Sequence, residues 1–283
     1  MPGILWLASY PKSGNTWVRA FLGNLLLDPE KPLAINKLSD FMLGDGFLVH
    51  YEQFTGRKAE ELSEAEISRL RPKIHEWFAH SRSDNVLVKT HNAVLKVDGQ
   101  PLITPSATAG AVYIVRNPLD VAVSFAHHYQ VTYDRAVELL CDRDYVLPPS
   151  GGQVTQYLSS WSDHVRSWTR APGLPLHLMR YEDMQKQPAE SFAALARFAN
   201  LPEDRERLEK AIEFSNFEEL AGQERQGSFK EARPDGKAKF FRAGRSGGWR
   251  DALTPAQAEQ LVNAHRPVMT DLGYIDSEGA LTV

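Results

Sequence analysis

Residues 3–17 read Gly3-Ile4-Leu5-Trp6-Leu7-Ala8-Ser9-Tyr10-Pro11-Lys12-Ser13-Gly14-Asn15-Thr16-Trp17, an apolar run that passes into a short polar loop. Gly3–Ser9 is bounded by Pro2 and Pro11 and has the length and composition of a buried strand. Thr16–Leu27 reads as a helix, ended by Asp28 and Pro29. A strand, a glycine-containing loop and a helix in succession present backbone N–H groups at a helix N-terminus, where the helix dipole favours an anion. Gly14 lets the backbone approach a phosphate closely. Lys12 adds positive charge, and Ser13, Asn15 and Thr16 add hydrogen-bonding groups. The Walker order, with lysine directly after the second glycine, is absent. On spacing alone the segment reads equally as an anion-binding loop or as a helix start beside an exposed lysine.

Outward from this segment, strands are expected at Asn85–Thr90, Ala111–Arg116 and Leu174–Arg180. Asn117 as cap and Pro118 at the first helical position start a helix expected to reach about Thr132. Further helices are expected over 153–170, from Pro188, over 203–214 and from Pro255, the last capped by Thr254. Residues 30–57 look irregular, and 58–80 look helical in two pieces because Pro72 falls inside. Residues 141–152 and 222–250 look like loops. Strands alternating with helices predict an α/β fold, with a central parallel sheet flanked by helices and a ligand at the carboxyl ends of the strands.

The chain has 283 residues, 42% of them hydrophobic and 24% charged, which excludes a disordered or collagen-like chain. Its length and its unrepeated pattern are read as a single domain over 1–283. The net charge of −4 argues against bulk affinity for nucleic acid or an anionic membrane, though a local basic pocket remains open. Cys141 is the one cysteine, so no intrachain disulfide and no cysteine-based zinc site can form. It is read as a buried, inert thiol in a reducing compartment. No run of ~18 apolar residues predicts a transmembrane helix. The expected location is cytoplasmic.

Three more segments fall at strand ends or in the glycine-rich stretch. In Arg116-Asn117-Pro118-Leu119-Asp120-Val121-Ala122-Val123-Ser124, about two helical turns bring Ser124 to the side of the helix start. An arginine fork and a hydroxyl can then converge on one phosphate; a helix cap with an incidental arginine is the plainer reading. Val88-Lys89-Thr90-His91 places a histidine after a strand, where a structural role is commoner than a catalytic one, although its place beside a lysine at the ligand edge favours the latter. Phe241-Arg242-Ala243-Gly244-Arg245-Ser246-Gly247-Gly248-Trp249 has the composition of a flexible basic loop.

Together, the octapeptide Tyr10–Trp17 and these segments resemble the sulfotransferases that use 3′-phosphoadenosine 5′-phosphosulfate (PAPS). The resemblance implies a P-loop NTPase-like sulfotransferase fold, with PAPS as donor and 3′-phosphoadenosine 5′-phosphate (PAP) as product. It implies that Lys12, Ser13, Gly14, Asn15 and Thr16 hold the 5′-phosphate and that Trp17 packs on the adenine. It implies that Arg116 and Ser124 bind the 3′-phosphate, joined by Arg242 and Gly244. In the family's RKGxxGDW segment the lysine is replaced here by Ala243 and the aspartate by Gly248. Tyr181 is similar to the tyrosine that reaches the adenine, and Ser215 and Phe217 to residues flanking it; helix start and core are the plainer readings of all three. His91 is implied as the base that takes the acceptor's proton, Lys89 as a contact of the sulfuryl group and Lys12 as a stabiliser of the leaving phosphate.

No metal is expected, since lysines supply the charge. The expected acceptor is a small molecule with a hydroxyl, phenol or amine. Phe41, Phe47, Tyr51, Phe54, Phe125, Tyr129 and Tyr133 are either its pocket or core packing. His127, His128, Lys230, Arg233, Lys237 and Lys239 are read as surface residues. The family's dimer motif is altered at Arg250, Thr254, Pro255 and Glu259, which leaves the oligomeric state open. The rival readings are an ATP-dependent P-loop kinase and a non-catalytic nucleotide-binding module. The missing Walker order opposes the first, and the presence of Lys12, Lys89 and His91 opposes the second.

Overall fold

Every residue of β1 (Ile4–Ser9) is buried, as its apolar run requires. The computed structural model describes residues 2–58, 61–227, 229–231 and 239–283. After β1 comes α1 (Asn15–Leu27), which starts one residue before the expected Thr16. Residues 30–57, expected to be irregular, hold a 3-10 turn at Ile35–Lys37, α2 (Leu38–Phe41), β2 (Leu43–Gly44) and α3 (Leu48–Thr55). These elements are too short to repeat a local period. Ile35 and Leu38 instead join a cluster with Ala20, Leu220 and Phe229, far away in sequence.

The helix expected in two pieces is one, α4 (Glu64–Ala79), running through Pro72; residues 59 and 60 of the expected span lie outside the described residues. An interior proline costs ~3 kcal/mol. Burial of Ile67, Ile74 and Phe78, at ~1.5–3 kcal/mol each, outweighs it. A capping box between Ser63 and Glu66 fixes the start.

There follow β3 (Val86–Thr90), β4 (Lys96–Val97), β5 (Gln100–Pro101), β6 (Thr108–Val115), α5 (Pro118–Tyr129) and α6 (Tyr133–Cys141). Helix α5 stops short of Thr132 because Gln130 turns left-handed, at φ 53°, and its N–H closes on the Ala126 carbonyl. Next come β7 (Val146–Leu147), β8 (Gln156–Tyr157) and α7 (Trp161–Thr169). The helix expected over 153–170 therefore begins only at Trp161. Ser159 is left-handed, at φ 60°, and the Ser160 hydroxyl caps the start by accepting the Asp163 N–H at 3.2 Å.

The last elements are β9 (Leu176–Arg180), α8 (Tyr181–Lys186), α9 (Pro188–Phe198), α10 (Arg205–Glu213), α11 (Phe217–Gln226) and α12 (Pro255–Asp271). Helix α11 takes the first residues of the loop expected at 222–250, anchored by buried Leu220 and Ala221. Thr254 caps α12 as expected, in a capping box with Gln257.

The chain forms two compact units. The first comprises Met1–Tyr10, Leu43–Tyr113 and Asp142–Leu178, and the second comprises Pro11–Met42, Ile114–Cys141 and Met179–Val283. Neither is a contiguous stretch, and the chain passes from one to the other five times. The fold is α/β, around a five-stranded sheet in the order β2-β3-β1-β6-β9. β3 runs parallel to β1, with Ala8 opposite Thr90, and to β2, with Gly44 opposite Lys89. The carboxyl ends of these three strands thus lie at one edge of the sheet.

Within the first unit, α4 packs on the sheet through His75 against Trp6, with ring centroids 4.9 Å apart. Helix α7 packs through His164 and Trp168 against Tyr113. Within the second unit, Phe21 of α1 stacks on Phe192 of α9 at 4.2 Å. Cys141 is half-buried rather than buried, and burial still pushes its thiol up to about 11, which keeps it inert.

His164 accepts the Tyr113 hydroxyl at Nδ1 (2.8 Å) and donates from Nε2 to the His91 carbonyl (3.0 Å). Burial holds this imidazole down at about 4, against its ordinary 6.5, with the bond to His91 opposing. Between those two values the unfolded chain binds a proton that the native state does not. The stability contributed is full above about pH 6.5 and is lost as pH falls toward about 4, by up to about 3 kcal/mol. In urea titrations, the free-energy difference between wild type and His164→Gln is expected to narrow across that window.

Candidate active site

In the first unit, β1, β2 and β3 end at Ser9, Gly44 and Thr90. His91 follows β3 and is half-buried. Its Nδ1 lies 2.8 Å from the Ser9 carbonyl and 3.3 Å from the Ser9 hydroxyl. A carbonyl only accepts, so Nδ1 carries the proton and, in the neutral ring, Nε2 bears the lone pair. The His91 carbonyl is held in turn by His164.

The next residue, Asn92, is fully buried and ties this loop down. It accepts the Tyr157 N–H at 2.8 Å through Oδ1, and its own carbonyl accepts the Trp168 indole N–H at 3.1 Å. Its side-chain amide donates to Asp45 Oδ2 at 2.9 Å. The same oxygen accepts Arg71 Nη1 at 3.2 Å, and both of these charged residues are buried.

A pocket whose space of about 190 Å³ includes open solvent adjoins His91. It is lined by residues 44–47, by Lys89, Thr90 and His91, and by Gln153 and Gln156. Of the aromatic residues considered for an acceptor pocket, Phe47 alone is in this lining. Tyr51 and Phe125 are core, Tyr129 packs on Phe125, and Phe54 and Tyr133 are exposed. Phe41 faces Gly23 in the second unit.

In the second unit, the loop after β1 is shaped by two left-handed residues, Lys12 at φ 69° and Gly14 at φ 106°. Lysine is rarely found there, and such strain clusters at functional sites. Gly14 stands at the cap position of α1, with no side-chain cap and no acid in the first turn. Side chains cap α4, α5, α7, α10, α11 and α12, whereas α2, α3, α8 and α9 share the uncapped start of α1. At α1 the uncapped start coincides with the left-handed loop, and the helix dipole there favours an anion.

Close by, the Ser13 hydroxyl, the Trp17 indole N–H and Arg116 Nε are buried without a hydrogen-bond partner among the described residues. Each is a donor, and a buried donor left unsatisfied costs ~1–3 kcal/mol. An added Cβ at Gly14 would meet the Tyr181 ring at 2.8 Å. Tyr181 also packs edge-on against Trp17, with centroids 5.7 Å apart, and lies under the Arg116 guanidinium at 4.2 Å. Lys12 Nζ stands 3.7 Å from the centre of the Phe240 ring. The donor set suits an anionic nucleotide: uncapped N–H groups, a hydroxyl, an indole N–H and a guanidinium, beside aromatic rings.

Other expected residues have structural partners. Arg116 donates from Nη1 to the Lys12 carbonyl at 3.2 Å and from Nη2 to the Arg245 carbonyl at 3.1 Å, bracing two loops. Ser124 is half-buried, about two turns along α5. The Ser215 hydroxyl donates to the Ala211 carbonyl at 2.8 Å. Phe217 lies against Gly244, where an added Cβ would run into its ring. Arg242 is exposed. His127 lies 3.2 Å from the Lys239 carbonyl, and Lys230 donates its N–H to Asn36; Arg233 and Lys237 lie outside the described residues.

Three residues that brace these loops escaped the sequence reading. Asp120, in the first turn of α5, accepts the Gly247 N–H at 2.8 Å and the Trp249 N–H at 3.1 Å. It supplies a carboxylate to the loop in which Gly248 replaces the usual acid. Gln185 donates to the Gly244 carbonyl. Glu182, buried, accepts the Asn117 N–H at 3.0 Å and the Tyr274 hydroxyl at 2.8 Å. Asp120 could have been found from its place in the Arg116–Ser124 segment; Gln185 and Glu182 have no sequence signal. Among the described residues, no group of three His, Cys, Asp or Glu side chains is placed to hold a metal ion.

A family model described as the sulfotransferase domain matches residues 2–273. The chain is 24% identical over 283 residues to mouse (Mus musculus) sulfotransferase 1B1, covering 95% of this chain and 83% of that protein. It is 25% identical over 265 residues to cytosolic sulfotransferase 1 of Arabidopsis thaliana, covering 90% and 75%. The crystal structure of mouse sulfotransferase SULT7A1 complexed with PAP superposes with a TM-score of 0.64 at 21% identity, covering 96% of this chain and 86% of that one.

Asp120→Ala removes the acceptor of both loop N–H groups. Hydrogen bonds to charged groups contribute ~1.5–3 kcal/mol each. Amide exchange at Gly247 and Trp249 is expected to accelerate by about 10-fold or more, while exchange in β1 stays unchanged.

Proposed function

This chain belongs to the sulfotransferase domain family, and from that premise we propose that it transfers the sulfuryl group of PAPS to a hydroxyl, phenol or amine of a small acceptor, releasing PAP. The observation that carries the donor assignment is the uncapped start of α1 beside the buried, unpartnered Ser13 hydroxyl. Bound PAPS supplies a sulfuryl group whose S–O bond to the 5′-phosphate breaks as the acceptor atom bonds to sulfur.

In this reading the N–H groups and side chains of Ser13, Gly14, Asn15 and Thr16 hold the 5′-phosphate. Lys12 balances the negative charge that this phosphate gains. Trp17 and Tyr181 bind the adenine, with Ser215 and Phe217 flanking it. Arg116, Ser124, Arg242 and Gly244 hold the 3′-phosphate, while Arg116 also braces the two loops. Lys89 contacts the equatorial oxygens of the sulfuryl group. His91 takes the acceptor's proton at Nε2, the nitrogen left basic by the Ser9 carbonyl. The positive charge comes from lysine and arginine, and the reading assigns no metal.

The whole chain acts as one catalytic domain in this proposal, and its location is the cytosol, in keeping with the cytosolic relative in Arabidopsis. Among the described residues, no helix is long and apolar enough to cross a membrane.

Calorimetric titration tests the donor. PAP is expected to bind tightly and AMP and Mg·ATP weakly, since each of the latter lacks a 3′-phosphate. A preference for Mg·ATP would favour a kinase and overturn the proposal. His91→Ala is expected to lower kcat by ~10²-fold or more with PAP affinity unchanged; full activity in this variant would remove the assignment of the base.

A further inference from the structure

The pocket beside His91 and Lys89 is small and its walls are polar. Small-molecule sites usually enclose ~300–1,000 Å³ and are mostly apolar. This one is an open cleft whose space of about 190 Å³ includes solvent, so its polar wall meets only the reacting end of an acceptor. Phe47 provides its hydrocarbon ring. Asp45 is committed to Arg71 and Asn92.

The two glutamines differ from the rest of the lining. Gln156 is 5% exposed, and its Nε2 donates to Gln153 Oε1 at 2.7 Å. That bond aligns the pair and leaves Gln156 Oε1 as an acceptor and Gln153 Nε2 as a donor. The segment carrying them is fixed by backbone bonds. The Val154 N–H donates to the Gly46 carbonyl at 2.8 Å, and the Leu48 N–H to the Gly152 carbonyl at 2.9 Å. The amides are therefore pre-positioned on a rigid wall, which lowers the ordering cost of using them.

We propose that Gln153 and Gln156 select an acceptor whose reacting hydroxyl stands among other hydroxyls, as in a sugar ring or another polyol. This proposal rests on the sulfotransferase reading above and names its acceptor class. Gln156 Oε1 accepts from one neighbouring hydroxyl, Gln153 Nε2 donates to another, and the reacting hydroxyl is left to His91. The ring face of Phe47 meets the C–H face of the sugar. An aromatic or simple alicyclic alcohol leaves both amides facing apolar surface. Sites built to hydrogen-bond a substrate discriminate strongly against analogues that lack the partner group.

The test supplies PAPS and measures PAP release with methyl α-glucopyranoside, cyclohexanol and 2-naphthol, alongside calorimetric PAP binding. The expected result is a kcat/KM for the glucoside at least ~10-fold above the other two. In Gln153→Met and Gln156→Met the glucoside-to-naphthol ratio should fall by ~10-fold or more, with PAP affinity retained. Gln153 is only half-buried, so its variant keeps the test valid if Gln156→Met fails to fold. Intact PAP binding with turnover of cyclohexanol or naphthol at least equal to that of the glucoside, or with no turnover of the glucoside, overturns the proposal. Loss of PAP binding by the wild type would instead overturn the donor reading on which it rests.

Discussion

The buried pair of Asp45 and Arg71 is the contact on which the arrangement of the first unit's candidate site depends. Taking two charges out of water costs several kcal/mol per ion, and their attraction repays this only when the remaining polar atoms are satisfied. Burial pushes the Asp45 carboxyl up, while Arg71 and then Asn92 oppose that shift. Arg71 comes from α4, Asp45 follows β2, and Asn92 follows His91. One ionic contact therefore fixes the helix, the pocket wall and the loop of His91 together. Asn92 carries the constraint on to Tyr157 and Trp168. A hydrophobic replacement could fill the same volume, but it would not hold three separate segments by directed bonds.

The second unit solves its problem with backbone groups. Here the long side chains grip main-chain atoms: Arg116 takes two carbonyls, Asp120 takes two N–H groups, and Glu182 takes the N–H at the cap of α5. Glycine-rich loops have few side chains to pack, so distant charged residues define their shape. The groups left over at the start of α1 are donors, which is the polarity an anion needs.

Much of this was legible in the sequence, because strand, loop and helix each have strong local signals around residues 3–17 and 111–120. Capping residues such as Asn117, Pro118 and Thr254 announced their helices. The short elements within 30–57 were not legible, since residues such as Ile35 and Leu38 are held by long-range packing and show no period. Pro72 misled for the same reason: the burial of α4 outweighs a local penalty. At the site, the motif residues were visible as residue types in order. Their partners were not. Nothing local marks Ser9 as the residue that sets the tautomer of His91, or Gln185 as a brace for Gly244, because those roles come from residues brought together by topology.

The interleaving of the two units also bears on how the chain is made. Synthesis runs from the N-terminus, and the last residue that the first unit needs is Leu178. Its sheet, the Asp45–Arg71 contact and the bracing of His91 can all form while the ribosome is still translating. The loops of the second unit wait for the final hundred or so residues. During translation, a nascent chain can hold the His91 loop in place well before the loop at the start of α1 gains its partners.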